Sequence, residues 1–378
     1  MTVWDGLVGQ NHVIDTLRTA VANGPSQSWL FTGPPGSGRS NAALAFAAAL
    51  QCEQGGCGEC HECRTVLGGS HADVQRLSTQ GLSIGVDQVR ALVRTASLSP
   101  ARGRFQILIV EDSDRVTEQA QNALLKAVEE PGARTIWLLC APTVEDVLPT
   151  IRSRCRLVTL STPRAEDVAD FLTRSDGINP AEALLAARAS QGHIGRARAL
   201  ARDEGVRARR RSVVGIPAGL ESLAACLRAA EDLAATTKAE ADEATTALDA
   251  REKADLDTAF GVEPRGRKPR EYGPALAALE KDQKRRATRR HRDIVDRALV
   301  DLLSVYRDAI AHGVGGRELI NEDIRSDIER LARTSPPEAH LRRIGVIQQA
   351  REQLLEFNVA PQLALEAMMV GLVTEGAS

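Results

Sequence analysis

Residues Gly33-Pro34-Pro35-Gly36-Ser37-Gly38-Arg39-Ser40 follow the phosphate-loop pattern G-x-x-x-x-G-K-[ST] in every position but one. Backbone N–H groups of such a loop cradle phosphates, the lysine reaches the β- and γ-phosphates, and the hydroxyl binds Mg²⁺. Here arginine stands in the lysine position. Lysine is a compact charge on a flexible stem, whereas arginine is a longer planar fork, so Arg39 does not simply replace it. The motif leaves two readings open. Either Gly33, Gly36, Gly38, Arg39 and Ser40 still bind ATP with Mg²⁺, or the loop survives only as scaffold.

A second group of reactive residues follows closely. Cys52, Cys57, Cys60 and Cys63 are spaced C-x4-C-x2-C-x2-C in a stretch that also holds Gly55, Gly56 and Gly58. Four thiolates on a tight loop suit tetrahedral zinc, and with no open coordination position the metal would be structural. The competing reading is free thiols or disulfides. His61 would be a fifth ligand and is expected to be a bystander. Cys140, Cys155 and Cys226 are scattered and are expected to be ordinary, more or less buried residues.

The flanking elements must position these groups. Apolar Trp29-Leu30-Phe31 precedes the phosphate loop like a strand, and Ala42 to Leu50 follows it like a helix. Phe105–Val110, Thr135–Cys140 and Arg156–Leu160 are further strands, and Glu118 to Glu130 is a helix that stops at Pro131-Gly132. This alternation predicts a parallel sheet of βαβ units. From about residue 162 strand signals vanish. Arg164 to Ala201 reads as short helices broken at Gly192-His193-Ile194-Gly195, and everything after about residue 212 is helical in pattern. The expected domains are 1–162, 163–211 and 212–378.

Within the last domain charge is segregated. Glu231 to Glu263 holds ten acids and three bases, and Pro264 to Arg292 holds eleven Lys/Arg and three acids. Arg265, Arg267, Lys268, Arg270 and Lys284 to Arg292 could form an arm for DNA phosphates. The preferred reading is a solvated antiparallel helical hairpin whose two arms attract each other, because the basic run lacks aromatics and an acidic run precedes it. The chain as a whole carries a formal net charge of −2 and only three Trp, two Tyr and six Phe, which argues against a basic or stacking nucleic-acid binder. No apolar run is long enough to span a bilayer, and a cytoplasmic location is expected.

Val110-Glu111-Asp112-Ser113-Asp114 stands where the second nucleotide motif belongs, with a strand delivering an acid to Mg²⁺ and the next acid activating water. The order here is Glu111 then Asp112, which shortens the side chain that would have to reach the water. Downstream come Gln121-Asn122-Ala123-Leu124-Leu125-Lys126-Ala127-Val128-Glu129-Glu130-Pro131 and Leu148-Pro149-Thr150-Ile151-Arg152-Ser153-Arg154-Cys155-Arg156. With the cysteine module placed directly after the phosphate-loop helix, these resemble the bacterial clamp-loader AAA+ subunits of DNA polymerase III. Phe357 to Glu366 is similar to that family's last collar helix. The resemblance covers residues 1 to about 210 and the C-terminal tail, and leaves about 231–292 as an insertion.

The resemblance implies an α/β AAA+ module with a zinc loop, a small helical lid, and an all-α collar. It also offers a choice between the ATP-hydrolysing γ/τ subunit and δ′. A hydrolysing subunit would carry lysine at 39, Asp-Glu at 111–112, and a polar residue near Ala141-Pro142. It would also have an arginine where Gly195 stands; Arg196 comes one step late, about 100° round a helix. These departures favour a δ′-like stator. In this family the arginine of Ser153-Arg154-Cys155 acts in trans on a neighbour's ATP site, where an arginine stabilises charge on the transferred phosphoryl group. Implied partners are γ/τ-like ATPase subunits and δ in a hetero-pentamer, the sliding clamp, and primer–template DNA through the assembly. The alternatives are a γ/τ-like ATPase or a DNA-repair AAA+ ATPase.

Overall fold

The computed structural model describes residues 2–79, 81, 83–262, 269–316, 318–357 and 359–374. The chain divides into two compact units, Met1–Ala201 and Arg202–Ser378. No helix among the described residues is long and apolar enough to cross a membrane.

The first unit is built on five strands: β1 (Ser28–Thr32), β2 (Val74–Leu77), β3 (Gln106–Val110), β4 (Thr135–Ala141) and β5 (Arg156–Thr159). They form one parallel sheet in the order β2-β3-β4-β1-β5. Every residue of β1, β3 and β4 is buried, as expected for strands covered on both faces. One face packs under α1 (Asn11–Asn23) and α2 (Arg39–Gln51), where Trp29, Phe31 and Phe46 meet Leu17 and Leu50. α3 (His61–Leu67) joins the same core through Cys63 and Val66. The other face packs under α4 (Val86–Ala96), α5 (Glu118–Glu129) and the short α6 (Pro149–Arg152). A separate small core joins α7 (Ala165–Asp176), α8 (Pro180–Ser190) and α9 (Ile194–Arg202). The expected break lies between α8 and α9, where Gln191 and Gly192 have φ of 52° and 88°.

β2 was not among the expected strands. It is four residues long at the sheet edge, with Gln75 and Arg76 exposed, so its apolar signal is too short to read. It nevertheless pairs in register with β3, Arg76 opposite Ile109 and Leu77 opposite Val110. The loop before β3 is fixed by two buried polar side chains. The Asp73 carboxylate accepts the backbone N–H groups of Ala101, Arg102 and Gly103 at 2.6–2.8 Å. Gln51 accepts from the backbone of Arg104 and donates to the Phe105 carbonyl.

The second unit is all-helical: α10 (Glu204–Gly215), α11 (Leu223–Ala259), α12 (Tyr272–Gly313), α13 (Arg325–Thr334), α14 (Pro337–Leu355) and α15 (Pro361–Thr374). The expected charged hairpin is present, but as the far ends of α11 and α12 rather than as separate helices. Opposite charges meet across it: Arg286 bonds Asp249 and Glu252, Arg297 bonds Glu240, and the Tyr272 hydroxyl donates to Asp257. Arg286 holds the Glu252 carboxyl below its ordinary range. Arg265, Arg267 and Lys268 lie outside the described residues. The near ends of α11 and α12 join α14 and α15 in a core of Leu233, Leu299, Leu302, Ile347, Leu365 and Met369.

Burial opposes ionisation of Asp73, but three N–H donors outweigh it and depress the pKa. A depressed carboxylate contributes stability above its unfolded pKa and loses it as pH falls through the folded one. Asp73→Asn is therefore expected to cost about 1–3 kcal/mol at neutral pH. The gap from the parent should begin to close only below about pH 4 and go on closing as acid protonates the parent's Asp73, as read by denaturant melts carried from pH 7 down to about pH 2.

Candidate functional site

Because the sheet is parallel, the loops after β1, β3 and β4 open at one edge, where open α/β sheets bind ligands. The phosphate loop connects β1 to α2 and has positive φ at Gly33 (152°), Gly36 (88°) and Gly38 (91°). A Cβ on Gly33 would come within 2.5 Å of the Leu160 carbonyl oxygen, and one on Gly36 within 2.9 Å of His193 Cβ. The loop shape expected from the sequence is thus formed, with the segment before α9 resting on it.

Several of the groups that would handle nucleotide are engaged within the chain. Arg39 does not project from the loop: its guanidinium folds back and donates to the Gly33 carbonyl. Burial pulls its pKa below the ordinary value, while Cys140, Asp114, Asp112 and Asp146 oppose that shift, so Arg39 sits among acids. The Gly33 N–H is donated to the Pro142 carbonyl. Glu111 points to the edge of the sheet, where its Oε1 accepts from Arg76 Nε and Nη2 at 2.8 and 2.5 Å. Asp112 accepts the Thr79 N–H at 3.0 Å. Arg76 and Thr79 were missed from the sequence, because the β2 edge that carries them was missed. Ser37 is buried, and its hydroxyl has no partner among the described residues. Ala141 is buried and apolar, and Gly195 stands beside His193, with Arg196 next in the helix.

Arg154 follows α6 on the surface. Its Nη1 donates to the Thr150 carbonyl at 2.8 Å, and its Nη2 pairs with Glu129 at 2.5 Å. Both partners of that ion pair are well exposed, and pairs of this kind contribute about 0–1 kcal/mol.

The four cysteines come together. Their sulfurs all lie within 4.8 Å of one another, and Cys52–Cys57 and Cys52–Cys60 are each 3.7 Å apart. That is too long for a disulfide at about 2.05 Å. It matches the edge of about 3.8 Å that a tetrahedron has when metal–sulfur bonds are about 2.3 Å. Backbone N–H groups of Cys57, Cys60 and Cys63 donate to the sulfurs of Cys52, Cys57 and Cys60. Burial opposes the ionisation of Cys52, but the N–H groups of Cys57, Gly56 and Gln54 outweigh it and hold the thiol at about 6. These residues fit a metal ion. His61 is outside the cluster, and Cys140, Cys155 and Cys226 are free thiols, buried or half-buried.

Two stretches of the chain match known protein families. Residues 9–164 match the family described as DNA polymerase III, delta subunit, and residues 290–374 match the C-terminal domain of DNA polymerase III delta subunit. The DNA polymerase III subunit delta′ of Pseudomonas aeruginosa is 34% identical over 195 residues, which is 50% of this chain and 60% of that protein. The delta′ subunit of Haemophilus influenzae is 35% identical over 161 residues, 42% of this chain and 49% of that one. The gamma/tau subunit of Mycobacterium tuberculosis is 36% identical over 154 residues, 39% of this chain and 27% of that protein. The chain thus spans between about a quarter and three fifths of these relatives' own length. Among solved structures, a gamma subunit-related protein of Thermotoga maritima aligns over 96% of this chain and 99% of its own at 16% identity, with a TM-score of 0.39.

The cysteine geometry generates a direct expectation. Elemental analysis of gently purified protein should find about one divalent metal ion per chain. Cys60→Ser should lose most of it and destabilise the chain by about 2 kcal/mol or more, roughly 5 °C in Tm. Unchanged metal content and Tm in that variant would reject the site.

Proposed function

We propose that the chain belongs to the clamp-loader subunit family of bacterial DNA polymerase III, and that within it this chain is the δ′-like stator, which does not turn over ATP itself. The observation that carries this reading is the self-engaged nucleotide site. Arg39 is bonded to Gly33, Glu111 to Arg76, and Asp112 to Thr79. No lysine stands ready for the phosphates, and the strand position that a polar sensor would use is Ala141-Pro142. Gly33, Gly36, Gly38 and Ser40 then act as scaffold that keeps the loop's shape.

Arg154 is the group that would act outside the chain. It is exposed, it follows a short helix beside the edge strand β5, and its restraints are an exposed pair with Glu129 and hydrogen bonds to the Thr150 carbonyl and the Ser153 hydroxyl. Swinging away costs little, and a planar, always-charged fork suits a phosphoryl group in a neighbour's ATP site. The partners in this reading are γ/τ-like ATPase subunits and δ in a five-membered ring, the sliding clamp, and primer–template DNA reached through the ring. The metal is zinc, held by Cys52, Cys57, Cys60 and Cys63 as a closed structural site that stiffens the loop after α2. The three domains remain 1–162, 163–211 and 212–378, with the 231–292 hairpin as an addition to the collar. The setting is cytoplasmic.

A second reading has one observation in its favour: the phosphate loop retains its positive-φ glycines, as a γ/τ-like ATPase requires. Turnover decides between the two. The isolated chain is expected to hydrolyse ATP no faster than buffer, with or without primed DNA. Steady DNA-stimulated turnover that disappears in Ser40→Ala would overturn the stator reading.

For Arg154, Arg154→Ala is expected to assemble normally yet to slow the complex's ATP hydrolysis partially, since only one of the ring's sites would lose its arginine. Arg154→Lys should recover only part of the loss. Parental rates in the Arg154→Ala complex would remove the trans role.

A further inference from the structure

The cysteine loop is tied on its outer flank to the first residues of the chain, where the Val3 N–H donates to the Gly56 carbonyl. Beside it lies an open cavity of about 410 Å³ lined by Arg18 and Val21 of α1, by Cys52, Glu53 and Gly55 of the metal loop, and by Arg104. Neither arginine is paired with a carboxylate among the described residues. Instead each lies against an aromatic ring, Arg18 5.9 Å from the Trp4 centroid and Arg104 5.7 Å from that of Phe105. A guanidinium resting on a ring keeps its in-plane N–H groups available for an oxyanion.

The backbone that carries these groups is rigid. Gln51 is buried and bonds the backbone on both sides of Arg104, while Asp73 fixes the three preceding N–H groups. Gly103 has no room for a side chain, since a Cβ would come within 2.6 Å of Gln51 Oε1. On the other rim the Trp4 indole N–H donates to the Gly55 carbonyl, and a Cβ on Gly56 would come within 2.6 Å of Val3. Arg18 sits one residue after the core residue Leu17. Two unpaired guanidinia are thus presented from fixed positions on a single cavity.

We propose that this cavity docks a short acidic segment of a partner protein, with carboxylates on Arg18 and Arg104. Its volume suits a few side chains and is far too small for a duplex. Two arginines with Glu53 on the same rim do not make the continuous basic track that a nucleic-acid backbone follows. Neither ring is well placed for base stacking, because Trp4 is buried beneath its arginine and Phe105 is half-buried against the core with Arg104 beside it. Carboxylates meet planar guanidinia with bidentate geometry, and Glu53 disfavours a longer run of negative charge. This surface is independent of the stator reading and of Arg154.

The test uses full-length, metal-loaded protein and a fluorescein-labelled hexapeptide of alternating glutamate and aspartate, followed by anisotropy at moderate salt. Saturable submillimolar binding is expected. It should weaken about tenfold in Arg18→Gln and in Arg104→Gln, and stay unchanged in Arg102→Gln, a nearby surface arginine outside the cavity. The matching glutamine–asparagine peptide should not compete. Metal content and Tm should be parental in all three variants. Absence of saturable binding, equal binding by the Arg18 and Arg104 variants, or tighter arginine-dependent binding of an oligothymidylate of equal charge would each overturn the proposal.

Discussion

Between β1 and α2 the backbone turns in a space that admits no Cβ at Gly33 or Gly36, and what fills that turn governs the first unit. In this chain the filling is internal. The Arg39 guanidinium closes on the Gly33 carbonyl with Asp112, Asp114 and Asp146 nearby, so positive charge is supplied by the protein at a place built for phosphate and magnesium. Around that contact three other groups of the site are also engaged. Glu111 is drawn to the edge by Arg76, Asp112 is held by the Thr79 N–H, and Pro142 accepts the first N–H of the loop. A loop held by these internal bonds can keep its shape without a ligand, which is what the proposed structural role needs.

Much of this was legible in the sequence, for identifiable physical reasons. The phosphate loop is written in glycines because its φ values demand them, and the cysteine loop carries four cysteines whose sulfurs converge as tetrahedral thiolate coordination would require. The break before α9 is marked by Gly192, and the hairpin by the matched acidic and basic runs that meet at Arg286.

What was not legible lies where pattern carries little information. Strand β2 has four residues and one exposed flank, so neither Arg76 nor its hold on Glu111 could be anticipated. The direction of the Arg39 side chain depends on acids that arrive from loops far away in sequence. The hairpin arms could not be seen as extensions of the collar helices, because their composition changes abruptly while the helix itself continues from Leu223 to Ala259 and from Tyr272 to Gly313. The pairing of Arg154 with Glu129 joins two surface residues 25 positions apart, and no periodicity announces such a contact.

The central claim is that this chain serves the assembly through its structure and Arg154, and not through its own nucleotide site. The most direct measurement is clamp-stimulated ATP hydrolysis by γ/τ-like and δ subunits reconstituted without this chain, with the parental chain, and with Ser40→Ala. The account predicts a rise in rate when the parental chain is added and the same rise with Ser40→Ala. A complex that gains nothing from this chain, or that loses the gain with Ser40→Ala, would contradict it.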